Sequence, residues 1–187
     1  AFGSKHSTYQ PTKFELYNKK KYFYTMKRIV TALFLLAAIN CTAQDFKPTI
    51  GIDGNTFGPL QPKDFVITVQ EIANIPSNGN ISFRLVQPSG LTYTWSTTSG
   101  TAAVNGGTST NNGVWTITKA GNIITCTIPS ITALGSSIVG FTATRNAVVA
   151  TNTTMNITAV ITKNSGGDTN ALNNTSVLQT IAFFWQS

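Results

Sequence analysis

The sequence predicts an all-β fold, an antiparallel β-sandwich of about seven to nine strands, and three observations predict it. The pattern has period two almost throughout: Phe65, Ile67 and Val69 alternate with Val66, Thr68 and Gln70, Ile81, Phe83 and Leu85 with Ser82, Arg84 and Val86, and Met155, Ile157, Ala159 and Ile161 with Thr154, Asn156, Thr158, Val160 and Thr162. A strand with one buried face has this period because successive side chains point to opposite faces. Turn-forming clusters punctuate the runs, among them Pro76-Ser77-Asn78-Gly79, Pro88-Ser89-Gly90 and Ser165-Gly166-Gly167-Asp168. No helical period appears after residue 44. Short strands recurring without a helical interlude pair antiparallel and stack as two sheets, with a closed barrel as the alternative.

Ahead of the strands stands a different composition. Met26 is followed by Lys27 and Arg28, then by an apolar run over residues 29–39, then by Cys41-Thr42-Ala43. A basic start, a short apolar stretch and a small-residue cleavage site make a secretory signal peptide over residues 26–43, cut between Ala43 and Gln44. The apolar run is too short to span a bilayer comfortably, so no integral membrane span remains once the leader is removed. Residues 1–25 precede it and are crowded with Lys, Tyr, Phe and Asn. They read as upstream sequence translated in frame, or alternatively as an extended basic n-region.

Charge follows the same division. The whole chain carries a formal +7, but residues 1–43 hold seven of its lysines and arginines against Glu15 alone. Residues 44–187 hold six against Asp45, Asp53, Asp64, Glu71 and Asp168, a net of +1. No basic patch remains to neutralise a phosphate backbone, so nucleic acid is excluded as a partner. Residues 44–187 are the right size for a single domain with a core of its own. Cys41 goes with the leader, and Cys126 is left without a partner for a disulfide. It lies on the same alternating face as Ile124 and Ile128 and reads as a small buried hydrophobe.

Strands are expected near 46–52, 64–72, 80–86, 91–96, 114–118, 123–128, 138–145, 154–162 and 175–182. The fifth and sixth form a hairpin about Lys119-Ala120-Gly121-Asn122. Residues 97–113 break the rhythm, being small, polar and long for a connection. They are either a binding loop or a tolerated surface insertion, and the absence of charged and aromatic residues favours the insertion.

From Phe65 onward the order of these signals resembles the conserved repeat domain of bacterial surface proteins, an immunoglobulin-like sandwich. The resemblance is carried by residues 64–69 (Asp-Phe-Val-Ile-Thr-Val), by 81–91 with its Pro88-Ser89-Gly90 turn, by 131–141, and by 167–176 (Gly-Asp-Thr-Asn-Ala-Leu-Asn-Asn-Thr-Ser). An acidic, Asn-rich turn leading into the final strand is the most telling of these. The resemblance covers roughly residues 46 to 182 and implies a spacer, adhesive or scaffold role at a bacterial cell surface. It implies other surface proteins or extracellular polymers as partners, no cofactor and no catalysis. The residues agree: the only histidine, His6, precedes the leader, so residues 44–187 contain no histidine base, triad or His-Cys metal cage.

Two groups of residues are candidates for binding. Asp168, Thr169, Asn170, Asn173 and Asn174 offer oxygens to calcium, although one carboxylate supplies little charge for a hard dication. The alternative is an Asn-rich turn whose side chains bond nearby backbone. Tyr93, Trp95 and Trp115 could form an aromatic platform for sugar rings, the basis of a carbohydrate-binding module. The alternative places them in apolar rows that the sandwich buries. Export is expected to remove everything through Ala43, so the intact mass of the exported protein should correspond to a chain beginning at Gln44; a chain beginning at Cys41 with added acyl mass would show a lipoprotein instead.

Overall fold

The structure is a computed structural model, and it describes residues 12–38 and 43–183. The chain divides into two units, Ala1–Thr42 and Ala43–Ser187. In the first, helix α1 (Lys13–Ala38) runs for 26 residues. It contains neither Gly nor Pro and is rich in Leu, Lys and Ala, so nothing in it interrupts the hydrogen-bond ladder. It passes without a break through Thr25 and Met26, where the sequence changes from upstream segment to leader. Among the described residues no helix is long and apolar enough to cross a membrane. Cys41 lies outside the described residues.

The second unit is built from strands β1 (Phe46–Ile52), β2 (Thr56–Phe57), β3 (Pro62–Glu71), β4 (Ile81–Val86), β5 (Leu91–Thr94), β6 (Gly100–Ala102) and β7 (Thr108–Thr110). They are followed by β8 (Thr116–Ala120), β9 (Ile123–Ile128), β10 (Ser136–Arg145), β11 (Thr154–Ile161) and β12 (Thr175–Ala182). One sheet has the order β1-β3-β10-β5 and the other β2-β12-β11-β4-β9-β8. Both are open, so the barrel alternative is set aside. Taken in chain order, β1, β3, β4, β5, β10, β11 and β12 occupy the seven positions of an immunoglobulin constant-type sandwich, four strands facing three. The fold is therefore an immunoglobulin-like β-sandwich. The β8–β9 hairpin is added at the free edge of β4, with Phe83 opposite Cys126. All nine expected strands are present within about two residues; β2, β6 and β7 are additional.

Between the sheets the alternating rows meet. Phe65, Ile67, Val69, Val139, Phe141 and Leu91 on one side, and Ile81, Phe83, Leu85, Ile124, Cys126 and Ile157 on the other, are buried in a single core. Phe65 stacks on Phe141 at 5.3 Å and tilts against Tyr93 at 5.0 Å. Phe83 meets the edge of Trp115 at 5.4 Å. The Trp115 indole N–H donates to Ser137 Oγ at 3.0 Å, so this ring both fills the core and links the β8 end of one sheet to β10 of the other. Cys126 is fully buried, and burial pushes its thiol up, away from the reactive thiolate.

The long connection over 97–113 is where structure and expectation part. It is a folded ribbon, β6 paired with β7, lying against the outer face of β3 and β10. Ala102 and Val104 bury Val66 there in a second small cluster, which Ile138 joins. That explains why Val66 is buried on the face that the alternation assigned to solvent. Gly140 lies beneath the ribbon, and a Cβ at this position would meet Thr110 Cγ2 at 2.8 Å. The segment is a folded part of the sandwich that carries its own buried contacts.

Since Trp115 is 6% exposed and hydrogen-bonded, Trp115→Ala is expected to lower stability by about 3–5 kcal/mol, the range for emptying a large aromatic site in a core. Chemical denaturation measures it. A change below 1 kcal/mol would contradict the packing described.

Candidate functional site

The ribbon encloses a cleft of about 190 Å³ against the sheet. Its floor is Gly140, Phe141 and Thr142 of β10 with Asp64 of β3; its rim is Trp95, Ser96 and the hydroxyl-rich start of the ribbon. Four polar side chains fix this geometry. Asn112, 2% exposed, donates its amide to the carbonyls of Ser96 and Gly140, both at 2.9 Å, and accepts from the Gly140 N–H at 2.8 Å. Asp64 accepts from the Ala103 N–H at 2.9 Å and from the Thr142 hydroxyl at 2.8 Å. Asp53 accepts from the Asn105 N–H, and Asn111 Oδ1 from the Ile138 N–H. The cleft is thus walled by hydroxyls, one carboxylate and one indole, with no cationic side chain among the lining residues. Such a lining suits a small neutral polar ligand rather than an anion.

A second polar group lies where β1 begins. The turn after β11 brings Asp168 against Phe46, whose N–H donates to Oδ2 at 3.3 Å, while the Asn170 N–H donates to Oδ1 at 2.8 Å. Asp45 joins this turn from the far end of the sequence: Asn170 Nδ2 donates to one of its oxygens at 2.9 Å and Asn173 Nδ2 to the other at 2.7 Å. Burial pushes the Asp168 carboxyl above its ordinary range, and the charge on Asp45 adds to the shift. The N–H bonds from Asn170, Phe46 and the Asn174 side chain oppose it. Among the described residues no group of three or more His, Cys, Asp or Glu converges.

Of the residues singled out from the sequence, Asp168, Asn170 and Asn173 are brought together. Asn174, also among the residues that the sequence offered, joins them through its side-chain bond to Asp168; Asp45, which completes the group, was missed, and its only signal was its position one residue before an expected strand, which carries no chemistry. The aromatic platform is corrected. Tyr93 and Trp115 are 3% and 6% exposed with their rings inside the core, so they present no face to a sugar. Trp95 alone is half-buried, with one edge against Phe141 at 6.1 Å and the cleft beside it. At the expected cleavage point, Gln44 already belongs to the sandwich, bridging to Asp168, and the second unit begins at Ala43.

No family model and no curated protein matches the chain in sequence. Solved structures resemble it in part. The CARDB domain of a Pyrococcus furiosus protein, solved in complex with di-metal ions, is 14% identical over 77% of this chain and 97% of that one, with a TM-score of 0.49. A C-terminal fragment of a major pilin of Streptococcus agalactiae is 10% identical over 74% of this chain and 56% of that one, at 0.48. AvmM, which catalyzes macrocyclization in alchivemycin A biosynthesis, is 8% identical over 76% of this chain and 91% of that one, at 0.43. These are similarities at the margin, spread over a CARDB domain, a pilin and an enzyme. The fold rests on the strand order itself.

Because Asn112 satisfies both buried backbone groups of Gly140 and also the Ser96 carbonyl, Asn112→Ala is expected to destabilise the protein by about 2–4 kcal/mol. Amide exchange should rise first in the ribbon and at Gly140. Unchanged protection there would refute the role given to Asn112.

Proposed function

We propose that this protein is an exported, non-enzymatic sandwich domain that serves adhesion, spacing or assembly at a bacterial cell surface, with other surface proteins or extracellular polymers as partners. The observation that carries this reading is the use made of the acids in residues 44–187. Asp53, Asp64, Glu71 and Asp168 all hold backbone N–H groups of turns, and Asp45 holds two asparagine amides. Each carboxylate is engaged in keeping a loop in place, and this region contains no histidine to serve as a base. A domain whose charged groups are invested in rigidity suits transmission of force or fixed spacing better than turnover. The start of the compact unit at Ala43, where the leader reading ends, supports export.

Expression of the full chain in a bacterial host tests it: the processed protein should be found outside the cytoplasmic membrane and be reached by antibody on intact cells. Retention in the cytoplasm, unprocessed, would defeat the reading. A second reading, a carbohydrate-binding module, is favoured by one observation, the half-buried Trp95 beside a hydroxyl-lined cleft. Retention on polysaccharide that Trp95→Ala abolishes, while leaving the melting temperature nearly unchanged, would establish it.

A further inference from the structure

The group around Asp45 and Asp168 is rich in oxygen and short of positive charge. Asp168 is 1% exposed, and the donors that reach the two carboxylates are neutral N–H groups of Phe46, Asn170, Asn173 and Asn174. The charge on Asp45 works against the ionised form of Asp168 instead of favouring it. Two amide oxygens beside them, Asn173 Oδ1 and Asn174 Oδ1, are enclosed without any hydrogen-bond partner, and Asn174 as a whole is 5% exposed. Buried amide oxygens normally find a donor, so two adjacent orphans next to two carboxylates call for a ligand that supplies positive charge.

We propose that this group binds a divalent cation, calcium, with Asp45, Asp168, Asn173 and Asn174 supplying the oxygens. Hard oxygen donors without His or Cys exclude the softer transition metals. Carboxylates and amides presented by a turn and a strand end suit the large, adaptable shell of calcium better than the small octahedron of magnesium. The amide of Asn170 takes a different part, bonding Asp45 through Nδ2 and the Leu172 N–H through Oδ1, which makes it a positioning residue. The cation would tie the first residues of β1 to the turn that feeds β12.

Thermal unfolding of the full chain, stripped with EDTA, tests this against added CaCl2 or MgCl2. Extracellular calcium modules bind at about 10⁻⁴–10⁻³ M, so 10 mM calcium should raise the melting temperature by about 3–10 °C, and magnesium by less than half as much. Asp45→Asn should abolish the calcium-dependent rise whatever its effect on the starting temperature. Asp53→Asn, at the ribbon, should preserve it. In the unsubstituted protein, the amide resonances of Phe46 and Asn170 should shift saturably with calcium, a readout that does not depend on any variant folding. Absence of the rise, a rise that survives Asp45→Asn, an equal response to magnesium, or resonance changes confined to other parts of the sandwich would each overturn the proposal.

Discussion

Capture of backbone N–H groups by carboxylates is the interaction on which the connections of this sandwich depend. Glu71, fully buried, accepts from Ala73 and Ile75 in the turn after its own strand and from Leu134 before β10. Asp53 and Asp64 hold two successive points of the ribbon, and Asp168 holds the first residue of β1. A loop that leaves a sheet has N–H groups with no ladder partner, and a charged acceptor satisfies them with bonds roughly twice as strong as neutral ones. Cys126, the sole cysteine of residues 44–187, is a free buried thiol, so these bonds take the place that a disulfide holds in cross-linked sandwiches. At the buried clamps of Glu71 and Asp168, removing one partner leaves the other unpaired away from water, at the cost of its desolvation.

Arg145 is the counterpart on the cationic side. It is fully buried and donates through Nη1 to the carbonyls of Phe57 and Phe183 and through Nη2 to that of Val149. Three pieces of chain, β2 and the end of β12, which pair with each other, and the turn after β10, are held by one guanidinium. The planar fork of arginine, with five donors in fixed directions, makes this possible where lysine would not.

The two faces of the β1-β3-β10-β5 sheet differ in consequence. Its inner face joins the common core. Its outer face is half covered by the ribbon, which trades a solvated surface for a small apolar cluster and leaves a polar cleft along the join. Rigidity and a concave feature therefore arise together: the contacts of Asn112 and Asp64 that immobilise the ribbon also shape the cleft. The clasp at Asp45 and Asp168 lies elsewhere, at the start of β1, and serves to secure a strand at the edge of its sheet.

Strand identity was legible in the sequence because one-sided burial writes itself as period two, and β3, β4, β9 and β11 follow that rule with few exceptions. The β8–β9 hairpin was legible from its turn residues, and the inertness of Cys126 from the row it shares with Ile124 and Ile128. What tertiary structure alone decided were matters of pairing between distant segments. The ribbon over 97–113 has too few apolar residues to announce itself; its burial depends on Val66, which alternation placed on a solvent face, and on Ile138 from the neighbouring strand. Trp95 and Trp115 look alike as members of apolar rows, yet one fills the core and the other sits at a rim, because β5 ends at Thr94 and releases Trp95 from its row. The Asn-rich turn showed one carboxylate in sequence and has two in space, since strand order brings Asp45 across 123 residues to Asp168. Local chemistry determined which residues form strands, and the packing of two sheets determined which polar groups meet, because such meetings depend on register and layer order that no local pattern encodes.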